Sequence, residues 1–167
     1  MDLNDVTTKL LSEDSHEIYT GCWEVLRLHD RDALRLIAAS VLPKKARIQM
    51  HDLGGALRSN SEVLEQAFRK LEISTGSKCL CTAYFGSTRY DPKKEADCGI
   101  VSIEHEKFEE NTWSTHFDCL CLRCNRKFYV TGEEAGHVPY WTWQAKKRVV
   151  TSSTARQKKC PVLSGHF

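Results

Sequence analysis

Apolar residues in the first 72 positions recur at spacings of three and four, the period of an amphipathic helix. Ile18, Cys22, Val25, Leu26 and Leu28 share one face of a segment that Asp14 or Ser15 can cap. The run His29-Asp30-Arg31-Asp32 interrupts the pattern and offers Asp30 as the next cap. Beyond it Ala33, Leu34, Leu36, Ile37, Ala38 and Val41 are apolar almost all round, which predicts a buried helix. Pro43 suits the first turn of another short helix toward Met50, and Gly54-Gly55 marks a break. Ser59 followed by Glu62 has the form of a capping box, ahead of Val63, Leu64, Ala67, Phe68 and Leu71 at helical period. The pattern predicts four or five short helices packed as antiparallel pairs.

The period changes at Ser74-Thr75-Gly76-Ser77. Downstream, short segments rich in aromatic and β-branched residues predict strands at Lys78–Phe85, Cys98–Phe108, Trp113–Leu122, Lys127–Thr131 and Tyr140–Trp143. Turns are expected at Tyr90-Asp91-Pro92-Lys93, at Glu110-Asn111-Thr112, and from Gly132 to Gly136. The fold class is therefore α+β: a bundle of short antiparallel helices over 1–74, a small antiparallel β-sheet over 75–143 that carries a structural zinc site, and a tail over 144–167.

A chain of 167 residues with 41% hydrophobic and 28% charged residues is one ordinary domain or two small ones. The longest uncharged apolar stretch, Leu36 to Pro43, falls far short of the ~20 residues of a membrane span. The first residues lack the basic-then-apolar pattern of an export signal, so the cytoplasm is the expected compartment. The formal net charge of +2 hides an asymmetry. Six of the 24 bases lie beyond Trp143 and none of the 22 acids does, leaving a net charge of −4 on the first 143 residues. An acidic body with a basic tail argues against phosphate binding as the main activity, since that draws on clustered Lys and Arg.

Six of the eight cysteines lie between Cys79 and Cys124. In a reducing compartment, cysteines clustered in this way point to a metal. Cys-Leu-Cys occurs at 79–81 and again at 119–121, and the second copy runs on to Cys124. Residues two apart on a strand share a face, so Cys79 and Cys81 can aim at one point. A two-residue gap at a tight turn does the same for Cys121 and Cys124, with Asn125 suited to the left-handed conformation there. Cys79, Cys81, Cys121 and Cys124 are thus the expected ligands of one zinc ion. Cys119 offers an alternative to Cys121, and Cys98 or His116 offers an alternative fourth ligand. Lys78, Arg123, Arg126 and Lys127 are placed to offset the thiolate charge. Four thiolates leave no coordination position for water, so this zinc is expected to stabilise a fold.

No H-E-x-x-H, G-x-S-x-G or G-x-x-x-x-G-K-[ST] motif occurs, and the pairs His16-Glu17 and His105-Glu106 read as surface residues. The chain is therefore expected not to be an enzyme. Glu104, Glu106, Glu109 and Glu110 bring four acids into seven positions at the end of a predicted strand. Such a run is either a solvated face or a patch that steers a basic partner. Trp141 and Trp143 share one face of the last predicted strand and read as packing residues.

The run from Cys121 to Val130 resembles the second knuckle of a zinc ribbon, although the first pair is C-x-C where ribbons have C-x-x-C. At the level of type, a small acidic body that lacks catalytic motifs and joins a helical half to a zinc-bearing sheet resembles the immunity proteins of contact-dependent growth inhibition and related polymorphic toxin systems. That resemblance implies tight binding to a cognate toxin, frequently a basic nuclease, with the glutamates of 104–110 as the contact surface. A nucleic-acid-binding zinc ribbon that uses Arg123, Arg126, Lys127 and the basic tail is the alternative.

Overall fold

The computed structural model describes residues 2–55, 60–135 and 138–146. They form α1 (Leu3–Leu10), α2 (Ser15–Arg27), α3 (Arg31–Val41), α4 (Lys45–Ile48), α5 (Ser61–Thr75) and α6 (Pro92–Asp97), then β1 (Val101–Glu109), β2 (Ser114–Cys121), β3 (Lys127–Ala135) and β4 (Val138–Ala145). The α+β class and the order of helices before sheet are as the sequence predicts.

Four helices start on an aspartate whose carboxylate accepts an otherwise unpaired amide of the first turn: Asp2, Asp14, Asp30 and Asp91. Asp14, not Ser15, is the cap of α2. Asp91 corrects the expected turn at Tyr90–Lys93. With Pro92 in the first position, the segment nucleates α6 instead. Pro43 lies in a single 3-10 turn, Leu42–Lys44, leading into α4. At α5 the capping residue is Asn60, which makes no side-chain cap bond and donates to the Leu53 carbonyl instead. Ser59, half of the expected capping box, lies outside the described residues. The carbonyls at the other end of α5 are met from α3. Arg35 donates to Ser74 O at 3.0 Å, and Arg31 donates to Gly76 O at 2.7 Å and to Lys78 O. These bonds fix the chain just before Cys79.

Further expectations change. Helix α3 is not buried all round: Leu34, Ile37, Ala38 and Val41 face the core, but Leu36 on the opposite side is 66% exposed. Lys78–Phe85 is not a strand. Leu80–Tyr84 forms a 3-10 turn in which Leu80, Cys81, Ala83 and Tyr84 are all buried. A stretch buried on consecutive positions lacks the alternation that pairs one face with a core and the other with water. It packs on α5 instead.

The sheet is a four-stranded antiparallel meander in the order β1-β2-β3-β4, with a bulge in β1 between Ile103 and His105. Gly132, expected to open a turn, lies inside β3 opposite Trp141. A Cβ placed on Gly132 would sit 2.1 Å from the Trp141 ring, so the indole occupies the space that any other side chain would need. Gly132→Ala is therefore expected to displace Trp141 and destabilise the protein by about 1–3 kcal/mol, measured by urea unfolding. Gly136, the other end of that expected turn, lies outside the described residues, as do residues 147–167 of the tail. Apolar side chains from the helices and from the inner face of the sheet form one buried cluster. Its sheet side is aromatic: Phe128 is packed by Tyr84, Phe85 and Trp143, with ring centroids 5.8, 5.6 and 5.3 Å away.

Candidate metal centre

Cys79 immediately precedes the 3-10 turn that holds Cys81, and Thr82 N donates to Cys79 O at 2.9 Å. A tight turn, not the alternation of a strand, therefore brings these two sulfurs together. Cys121 ends β2, and Cys124 lies in the turn before β3. That turn is closed by Asn125 N to Cys121 O and Cys121 N to Arg126 O, both 2.9 Å, with Asn125 at φ 56° as its residue type suggests. Cys79 Sγ stands 3.8 Å from Cys121 Sγ, and Cys81 Sγ 3.5 Å from Cys124 Sγ. All four sulfurs lie within 4.8 Å of one another. In a tetrahedral thiolate site with metal–sulfur bonds of about 2.3 Å, neighbouring sulfurs stand about 3.8 Å apart. The four cysteines can hold a metal ion.

The main chain prepares the cluster for negative charge. The Arg123 and Cys124 amides donate to Cys121 Sγ, and the Arg126 amide donates to Cys124 Sγ. Burial pushes the Cys81 and Cys121 thiols up. Burial also acts on Cys124, but the Arg126 amide and the neighbouring sulfurs outweigh it and bring that thiol below its ordinary value. Of the cations expected to offset this charge, only the Arg123 side chain lines the small cavity beside Cys79, Cys81 and Cys121. Arg126 covers the Phe85 ring, Lys127 pairs with Glu104, and the Lys78 carbonyl accepts from Arg31.

The alternative ligands go elsewhere. Cys119 is buried outside the four-sulfur group, with burial pushing its thiol up to about 12. Cys98 is exposed at the end of α6. His116 is tied to the Tyr129 hydroxyl at 2.8 Å and to Glu109 at 3.3 Å. Cys22 is fully buried, its thiol also pushed up to about 12 by desolvation.

A polar network beside the cluster escaped the linear reading. Lys70 sits on the buried face of α5 and donates to Leu26 O at 2.6 Å; burial lowers its pKa to about 8. Glu95, also buried, accepts from Tyr84 Oη at 2.6 Å and lies 3.7 Å from His29 Nδ1. Burial raises the Glu95 carboxyl, and burial followed by the charges of Lys70 and Arg123 lowers His29 to about 4. One signal was available. Lys70 interrupts the buried face that Val63, Ala67 and Leu71 form at helical spacing.

Most of the expected acidic patch is internally paired. Glu104 pairs with Lys127 at 3.0 Å, Glu106 with Lys93 at 2.8 Å, and Glu109 with His116 at 3.3 Å. Glu110 lies in the β1–β2 turn, where Trp113 takes φ 49°. Trp113 and Phe108 flank this hairpin tip edge to face, 72% and 52% exposed. Neither ring stood out in the sequence as a surface residue, because aromatics in strands usually face inward. No helix among the described residues is long and apolar enough to cross a membrane. Comparison with protein-family models, curated proteins and solved structures finds no match to this chain.

Proposed function

We propose that the protein is a non-catalytic binding protein of the immunity type, which neutralises a basic protein toxin, a nuclease in the first instance, by forming a tight complex in the cytoplasm. Zinc is the ion that the cysteines hold in this reading. An all-sulfur, tetrahedrally spaced donor set suits Zn²⁺ and completes its coordination, so its role is to staple the segment after α5 to the β2–β3 turn. One observation carries the binding role: the exposed pair Phe108 and Trp113 at a hairpin tip beside the exposed Glu110. Paired aromatics rimmed by charge are the usual anchors of protein interfaces, and large rings are costly to leave in water otherwise.

The test is co-expression with the product of the gene immediately upstream. That product alone is expected to arrest growth, and this chain to restore growth and co-purify at one to one. Phe108→Ala with Trp113→Ala should weaken the complex at least a hundredfold, about 3 kcal/mol, in a calorimetric titration. Salt-dependent retention on RNA or DNA, with no capture of that product, would favour the nucleic-acid reading instead.

A further inference from the structure

Two sulfur contacts cross the cluster from one segment to the other: Cys79 Sγ to Cys121 Sγ at 3.8 Å and Cys81 Sγ to Cys124 Sγ at 3.5 Å. Each joins unlike partners. Cys79 and Cys124 are partly open to solvent, whereas Cys81 and Cys121 are buried. A solvent-facing sulfur with a second sulfur in contact behind it is the arrangement of a peroxide-reactive cysteine and its resolving partner. A disulfide bond is about 2.05 Å long, so a movement of about 1.5 to 1.8 Å completes either pair.

We propose that the four cysteines are also a site of oxidative modification, at which a peroxide converts them to the disulfides Cys81–Cys124 and Cys79–Cys121 and releases the metal. The proposal rests on the zinc reading for the thiolate state of the sulfurs, and on the contacts for the pairing. In the first step the sulfur of Cys124 or Cys79 attacks the peroxide, the O–O bond breaks, and a sulfenic acid forms with loss of hydroxide. The buried sulfur in contact with it then attacks the sulfenic sulfur, the S–S bond forms, and a second hydroxide leaves. Two thiolates thereby give two electrons to one peroxide, and a second peroxide oxidises the other pair. Zinc keeps its charge throughout and departs as its ligands lose theirs. Both bonds join the segments that the ion joins, 42 and 43 positions apart in sequence, so the oxidised chain keeps its staple without metal.

The test is titration of the purified full chain with hydrogen peroxide after its zinc content has been measured. About two equivalents are expected to release the zinc, read with a chromogenic chelator, and to consume the four cluster thiols. Peptide mapping without reductant should find Cys81 joined to Cys124 and Cys79 to Cys121, and dimedone added with the peroxide should mark Cys79 or Cys124. The oxidised protein should melt above reduced protein treated with a chelator, and dithiothreitol with zinc should restore the starting state. Cys98→Ser, a change at an exposed thiol outside the cluster, should leave the release unchanged. Absence of zinc at the outset would count against the metal reading alone, since the pairing is mapped in either case. Bonds within a turn, Cys79 to Cys81 or Cys121 to Cys124, would overturn the proposal. So would cluster thiols that survive an about tenfold excess of peroxide, or that pass to sulfinic acid without pairing.

Discussion

Serine at both 121 and 124 is expected to abolish metal binding by the four-cysteine cluster and to cost on the order of 5 kcal/mol or more of stability, comparable with the whole folding free energy of a small domain. The argument starts from chain connectivity. The sulfur contacts join residues 42 and 43 positions apart in sequence, 79 with 121 and 81 with 124. An ion gripped by all four closes two long loops at once and is absent from the unfolded chain, so its binding energy becomes folding energy. Serine hydroxyls do not replace thiolates, and two remaining cysteines do not complete a tetrahedral site. Elemental analysis of the purified wild type should give one zinc per chain, and a chelator should lower its melting temperature toward that of the double variant. The sheet is expected to melt first, followed through the loss of amide hydrogen-exchange protection in β2 and β3 ahead of α2 and α5. Wild-type protein without metal that melts together with the double variant at an unchanged temperature would show that the sulfurs are only packed.

Phe128→Ala should be the most damaging single change away from the cysteines, at about 3–5 kcal/mol by urea unfolding. Phe128 is fully buried in β3, opposite Cys119 of β2 and Ala145 of β4. Its ring is enclosed by Tyr84 at the end of the 3-10 segment, by Phe85 just after it and by Trp143 from β4. The cavity left behind would be walled by rings that have their own commitments. Trp143 Nε1 donates to Tyr90 O at 2.8 Å and Tyr84 Oη to Glu95, so neither can swing in to fill it without breaking a buried hydrogen bond. Phe128→Leu, which keeps most of the volume, should cost less than half as much, and equal effects of the two substitutions would argue against a closely packed site.

The elements legible in the sequence are those set by local chemistry. Asp14 and Asp30 announce helix starts because a carboxylate one residue before an apolar stripe has a specific partner, the amide of the first turn. The Cys121–Cys124 knuckle was legible for the same reason, its spacing and Asn125 both serving one tight turn. Spacing singled out the four cysteines that cluster but left Cys119, Cys98 and His116 open as alternatives, and Cys79 and Cys81 converge by a 3-10 turn where the sequence predicts a strand. Illegible features depend on distant partners. Whether Gly132 turns the chain or sits in a strand is decided by Trp141, nine positions on and directly across the ladder. Whether Glu104 and Glu106 form a free acidic patch is decided by Lys127 and Lys93. Leu36 looked buried because its neighbours are apolar, but only one face of α3 meets another element.

The meander leaves β1 as an outer strand of the sheet. An outer strand with open amides and carbonyls is a template on which a second chain can add and begin an aggregate. Here the backbone is kinked by the bulge at Ile103 and His105, and charged side chains recur through Glu104, Glu106, Lys107 and Glu109. The same glutamates that suggest an interface thus also keep the protein from stacking with itself, and a variant that replaced them with valines would gain strand propensity and lose solubility.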